Sequence, residues 1–232
     1  MSDPVRPRRY AVIPTYNRPD VLLRSLAAAT AESDYVLVLD NGDDPALMVT
    51  PPKLESSGWG LLQVPMRPPN LSHLWDVGIT LAARDARYRD LQQWDVAVLN
   101  DDAIIPPGWY HTLSTRMRET GCAAASTGLL DGTPTGNAII HRTPGTTALS
   151  QRMQGHAFLL RGEADLRPDR NLQWWCGDND LDMQARAWGG TLVMAGLPVQ
   201  HLYPDQSTRG ELAARTGIDM AYFVEKWKFR PW

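Results

Sequence analysis

Short apolar runs alternate with segments of helical period along the first half of the chain. Tyr10–Ile13 is a compact apolar run stopped by Pro14, the signature of a buried strand. Pro19 and Asp20 then suit the first turn of a helix carrying Val21, Leu22, Ser25, Leu26 and Ala29. Tyr35–Leu39 predicts a second strand, ending on the turn formers Asp40, Asn41, Gly42, Asp43 and Asp44. Loop signals dominate from Pro45 to Gly60, and Leu61–Val64 predicts a third strand. After Asn70 a helical pattern runs through Leu74, Val77, Leu81 and Ala82. Val96–Leu99 is the clearest central strand and ends directly on Asn100, Asp101 and Asp102.

The second half is less regular. A helix follows Pro106, Pro107 and Gly108 toward Arg118, and Ala123–Thr127 predicts a strand. The stretch from Gly128 to Gly155 is rich in Gly, Thr and Pro and reads as a hairpin or loop around Ala138–Ile140. Ala157–Leu160 predicts a strand, Asp178–Trp188 a helix, Thr191–Ala195 a strand, and about Gly217–Lys226 a last helix. No internal repeat or composition break divides the chain. The expectation is one α/β domain over 1–232, with a mostly parallel sheet flanked by helices. Ligands of such sheets gather at the carboxyl ends of the strands. Thr15, Tyr16 and Asn17, then Asp40 and Asn41, then Asn100, Asp101 and Asp102 all stand at such ends, so one crevice is expected to receive them.

Composition narrows the partners. The 232 residues carry a formal net charge of -3 with 43% hydrophobic content, so no overall field favours nucleic acid. No run approaches the ~20 apolar residues of a membrane span, and no apolar leader precedes the first strand; a cytoplasmic protein is expected. Cys122 and Cys176 make neither a disulfide framework nor a cysteine-rich zinc site.

Two adjacent carboxylates at a strand end suit a hard divalent cation such as Mn²⁺ or Mg²⁺, which would neutralise a diphosphate. A turn that merely ends the strand accounts for the same residues. Asp40 could accept hydrogen bonds from a base or ribose, or serve as a turn acid. Pro14, Thr15, Tyr16, Asn17 and Arg18 could offer an aromatic face to a base and a guanidinium to phosphates. His201, following Leu197–Gln200, could complete a metal site or be a structural histidine. In the helix from Asp178, that residue is the expected N-cap and Leu181, Ala185 and Trp188 the core face. Asp182 and Arg186 form an i,i+4 pair. Asp180 falls off the apolar face, where it could take a proton from a hydroxyl; three acids serving only the cap and the helix dipole fit as well.

In order and spacing these segments resemble glycosyltransferase family 2, inverting enzymes with the GT-A fold. Val12–Pro19 resembles that family's first strand and nucleotide-binding turn, and Val38–Asp44 its second strand, which places base contact on Asp40. Asn70 opens the segment ahead of the helix in which Asp76 stands where the family usually has Asn. Val98–Ala103 occupies the place of the metal-binding D-x-D motif, with Asn100 first and Asp102 last, so Asp102 is the expected ligand and Asn100 supplies no charge. Asn179–Arg186 resembles the family's late acidic helix, which puts the catalytic base on Asp180 and leaves Asn179 where a Glu usually stands. His201 with Ser207 resembles a following His and Ser pair. The resemblance implies a donor half at about 10–105, an acceptor half at about 106–232, and a nucleotide-sugar donor, with Asp40 favouring UDP. The acceptor hydroxyl could belong to a glycan, a lipid-linked sugar, a protein or a modified nucleobase. A nucleotidyltransferase lacks its usual early Gly-rich phosphate loop here, since Pro14–Asn17 stands in that place. A non-catalytic nucleotide- or carbohydrate-binding module remains the other reading of Asn100 and Asn179.

Overall fold

The computed structural model describes residues 6–42, 58–128, 136–203 and 211–232. Asp43, Asp44, the Pro51–Pro52 loop and Ser207 lie outside them. Among the described residues an eight-stranded sheet forms from β1 (Arg8–Thr15), β2 (Tyr35–Asp40), β3 (Gly58–Gln63), β4 (Trp94–Leu99), β6 (Ala124–Thr127), β7 (Ala138–His141), β8 (Ala157–Arg161) and β9 (Thr191–Met194). Its order is β3-β2-β1-β4-β8-β6-β9-β7, with β8 and β7 antiparallel to their neighbours. The mostly parallel α/β architecture expected from the pattern is therefore present.

Side-chain alternation explains the layers. On β1, Ala11 and Ile13 pack with α1 (Pro19–Glu32) and α3 (Trp109–Glu119), while Tyr10 and Val12 pack with α2 (Leu71–Tyr88) and α4 (Gly177–Trp188). Both faces of β1 and β4 are buried, so their central stretches Tyr10–Ile13 and Val96–Leu99 read as unbroken apolar runs. A smaller cluster joins Met183 of α4 to Phe223 of α5 (Glu211–Trp227) and to the C-terminal aromatics.

Several expectations are corrected. Pro14 does not end β1, which runs on to Thr15; proline suits an extended backbone and removes only one N–H. β3 starts at Gly58 because its glycines let Tyr35 lie across the strand, a Cβ at Gly60 falling 2.5 Å from the Tyr35 hydroxyl. Ala138–His141 is no local hairpin: it is an edge strand paired antiparallel with β9, a partner distant in sequence. Asp178 is not the N-cap, since Cys176 takes that place in a left-handed conformation (φ 61°) without a side-chain cap bond. Trp188 leaves the core face and is 47% exposed, with Arg161 stacked on it. The last helix begins at Glu211, with Gly217 tolerated inside it.

Candidate functional site

The strand order turns at β1 and β4, because β1 is followed in space by β2 on one side and β4 on the other. At this point the chain opens a cavity of about 830 Å³, within the range of small-molecule sites. Its walls come from the ends of β1, β2 and β4, the N-terminal turns of α2 and α4, residues 152–156, and the N-terminal part of α5.

The acidic wall is built at the end of β4. Asp101 accepts from Thr15 Oγ1 at 2.9 Å and from Arg18 Nη1 at 3.2 Å. Burial raises its pKa, and the Arg18 charge offsets part of that. Asp102 accepts from Arg18 Nη2 at 3.3 Å, and His201 Nε2 lies 3.2 Å from its other oxygen. Burial works against the Asp102 charge, but His201 and Arg18 outweigh it and hold its pKa low. A two-strand ribbon brings His201 here: β10 (Gln200–His201) pairs with β5 (Ala103–Ile104), setting His201 opposite Ala103. His201 is thus the last residue of the short strand, at a strand end. His156 stacks on it at 4.6 Å, and burial followed by the His201 charge lowers the His156 pKa to about 4, leaving a neutral ring. Pro14, Thr15, Tyr16, Arg18, Asn100, Asp101, Asp102 and His201 therefore share one cavity, as the strand ends suggested.

Not every expected residue reaches it. Asp40 is buried and accepts from Gly42 N at 2.8 Å, while its neighbour Asn41 lines the cavity. Asn41 accepts from Met66 N at 2.7 Å and from Arg67, whose guanidinium lies over the Tyr16 ring. Asn17 has φ 51° and packs beside Gly42 instead of lining the space. Asn70 caps α2, accepting from His73 N at 2.8 Å, and Asp76 is gripped by Arg170, whose Nε stands at 2.8 Å. These two serve the helix and an ion pair, away from the cavity wall.

The acidic helix α4 makes the largest departure. Asp180 is 0% exposed and does not line the cavity. Its oxygens accept from Trp227 Nε1 at 2.8 Å and Gln184 Nε2 at 2.7 Å, and Lys226 Nζ stands 2.7 Å away. Each residue along a helix is turned by about 100° from the one before, so Asp180, two residues on from Asp178, faces α5 while Asp178 and Asn179 line the cavity. Burial raises the Asp178 pKa, with Arg152 offsetting part of the effect. Gly155 permits the approach, for a Cβ there would fall 2.5 Å from Asp178 Oδ2. Arg152 donates to Asn179 Oδ1 at 3.0 Å and lies over the Trp232 ring. Arg152 and His156 come from the irregular Gly- and Thr-rich region, where no periodicity or spacing marked them. Trp174 and Trp175 line the cavity, whereas Trp109 is a core residue.

Among the described residues no group of three His, Cys, Asp or Glu side chains could enclose a metal ion. Asp102 and His201, in contact and open to the cavity, nevertheless fit a divalent cation as two protein ligands, provided that a bound diphosphate supplies other oxygens. Such sharing between protein and phosphate is usual for Mg²⁺-type ions.

No family model matches the chain, and no curated protein matches it either. Solved structures do. GalNAc-T7 with UDP, GalNAc and Mn²⁺ has a TM-score of 0.63 at 16% identity, over 94% of this chain and 47% of that one. S. aureus TarS 1-349 has a TM-score of 0.55 at 13% identity, over 96% and 72%, and its complex with UDP-GlcNAc one of 0.52 at 12%, over 96% and 73%. The chain thus spans less than half of the GalNAc-T7 chain. The likeness is one of fold: the chain has the GT-A fold of these glycosyltransferases.

Proposed function

We propose that the chain transfers a sugar from a nucleotide-diphosphate donor, UDP being favoured, to an acceptor hydroxyl with inversion. The observation that carries this is the single cavity at the β1/β4 turning point, where Arg18, Asp101, Asp102 and His201 share space with Asp178. The GT-A likeness and the UDP bound by GalNAc-T7 and TarS support a donor of that class.

The base lies between the base-pair-like polar edge of Asn41 and the ring of Tyr16, with Asp40 shaping the turn beneath. Arg18 meets the diphosphate. Asp102 and His201, with Asn100 beside them, would hold the divalent cation, which when bound neutralises charge on the departing diphosphate. Asp178 takes the place of Asp180 as the base, because its carboxylate reaches the cavity while that of Asp180 is enclosed by Trp227, Gln184 and Lys226. It removes the proton of the acceptor hydroxyl. That oxygen forms the new bond to the anomeric carbon as the carbon–oxygen bond to the diphosphate breaks, and attack opposite the leaving group inverts the centre.

A thermal-shift screen of UDP-, GDP-, dTDP- and CMP-sugars, each with Mn²⁺, with Mg²⁺ and with chelator, tests the donor assignment. UDP-sugars with metal should stabilise the protein most, by about 2.7 kcal/mol at 100 times the Kd. Stabilisation by none of them would sink the reading and favour a module without this chemistry.

A further inference from the structure

α5 presents Leu212, Arg215, Asp219 and Phe223 at spacings of three and four, so they share one helix face. Phe223 enters the small core, and Leu212 and Arg215 line the cavity. Asp219 is 2% exposed, and one of its oxygens accepts from the backbone N–H groups of both Trp174 and Trp175, at 2.6 and 2.7 Å. The same helix face therefore holds two consecutive tryptophans on the cavity wall and sets an arginine beside them. Leu71 N, bonded to Gln173 O at 2.6 Å, and Arg215 Nη1, bonded to Pro69 O at 3.1 Å, tie this wall together.

The cavity's arginines are not equally occupied. Arg18 meets Asp101 and Asp102, and Arg152 stands by Asp178 and bonds Asn179. Arg215 bonds a single carbonyl oxygen, and no carboxylate among the described residues pairs with it. Among the described residues its remaining N–H groups have no hydrogen-bond partner. Pro69 is its hydrogen-bond partner, and Pro68, Leu71, Leu212, Trp174 and Trp175 line the same cavity.

We infer, resting on the sugar-transfer reading, that this wall binds an acceptor whose hydroxyl-bearing ring also carries a phosphate. The tryptophan faces stack on the ring, and the guanidinium fork of Arg215 binds the phosphate oxygens in pairs. The formal net charge of -3 gives a long polyanion no general attraction, so the ligand is a small phosphorylated ring. A sugar phosphate and a nucleoside monophosphate share this chemistry.

Calorimetric titration of the UDP-saturated protein tests it, with glucose 6-phosphate against glucose and AMP against adenosine. The phosphorylated partner should bind about tenfold more tightly in at least one pair. That pair identifies the ring, and Arg215→Gln should bring its two members to parity. Equal binding of phosphorylated and plain partners overturns the inference. So does an Arg215→Gln effect as large on UDP as on the phosphorylated ligand, which would assign the arginine to the donor. Inorganic phosphate binding as tightly as glucose 6-phosphate removes the ring from the inference. If UDP itself fails to bind, the donor reading falls separately, and the same pairs are read on the protein alone.

Discussion

Asp178 and Asp180 stand two residues apart on one helix, and their neighbours divide the work. Asp178 meets the cavity and Arg152; Asp180 is enclosed by Trp227, Gln184 and Lys226. Asp178→Asn should lower kcat by about 10²–10⁴-fold while UDP binding persists, because general-base help of that size is lost. Asp180→Asn should instead destabilise the fold by about 1–3 kcal/mol, since a buried network loses an acceptor and a charge. Kinetics and melting of the two variants, side by side, check the division; a larger kcat loss in Asp180→Asn than in Asp178→Asn would restore Asp180 as base. Gly155→Ala offers a second check on the same carboxylate. Its methyl would meet Asp178 Oδ2 at 2.5 Å, so the carboxylate must move, and turnover should fall well before stability does. The residue types at the strand ends were legible in the sequence, because Thr15, Arg18, Asp101 and Asp102 follow directly on buried runs. The helix phase of Asp178 and Asp180 was not: Cys176 starts α4 in an unexpected left-handed conformation, and Trp227 and Lys226 reach Asp180 from a distant helix.

Elements with two buried faces were read well, and elements stabilised by distant partners were not. β1, β2 and β4 announce themselves through continuous apolar runs, and α2 through its period. The β5–β10 ribbon has no such signal, being two residues long on each side, and yet it carries His201 to Asp102. α5 is likewise fastened by side chains far from it. Lys226 bonds Asp169 Oδ2 at 2.8 Å as well as Asp180. Burial alone would lower the Lys226 pKa, but the bonds to Asp169 and Asp180 outweigh it and raise it. Burial alone would raise the Asp169 pKa, but Lys226, Asn171 N and Tyr222 lower it. The two signs define a window. The Asp169 contribution is complete above its unfolded pKa of about 3.9 and is lost as pH falls through the lower folded value. The Lys226 contribution is complete below about 10.4 and is lost as pH rises through the higher folded value. Protection factors of the α5 amides, corrected for the intrinsic exchange rate, should thus stay high across neutral pH and fall toward both extremes. In Lys226→Met the protection should already be reduced at pH 7, and an unchanged exchange profile would refute the fastening role.

At the scale of the molecule the two expected halves meet in one continuous sheet, β3, β2, β1 and β4 on one side and β8, β6, β9 and β7 on the other. β8 joins them by pairing antiparallel with β4, and the cavity draws on residues from Pro14 to Arg215. No helix of the described residues is long and apolar enough to cross a membrane. A fold whose halves are joined by the central β4–β8 pairing should unfold as one cooperative unit, although the family resemblance implies a donor half and an acceptor half. Donor binding supplies the test. UDP with Mn²⁺ at 100 times its Kd should add about 2.7 kcal/mol, which for this chain length raises Tm by about 5–10 °C. The tryptophans report different places: Trp94 and Trp75 in the main core, Trp174 on the cavity wall, and Trp175, Trp227 and Trp232 at the C-terminal cluster. Far-ultraviolet dichroism follows the sheet and helices as a whole. If the halves are one domain, the dichroism and fluorescence transitions coincide and move together when UDP binds. If only one transition moves, the ligand stabilises a half that folds by itself, and the shared sheet does not couple the donor wall to the acceptor wall.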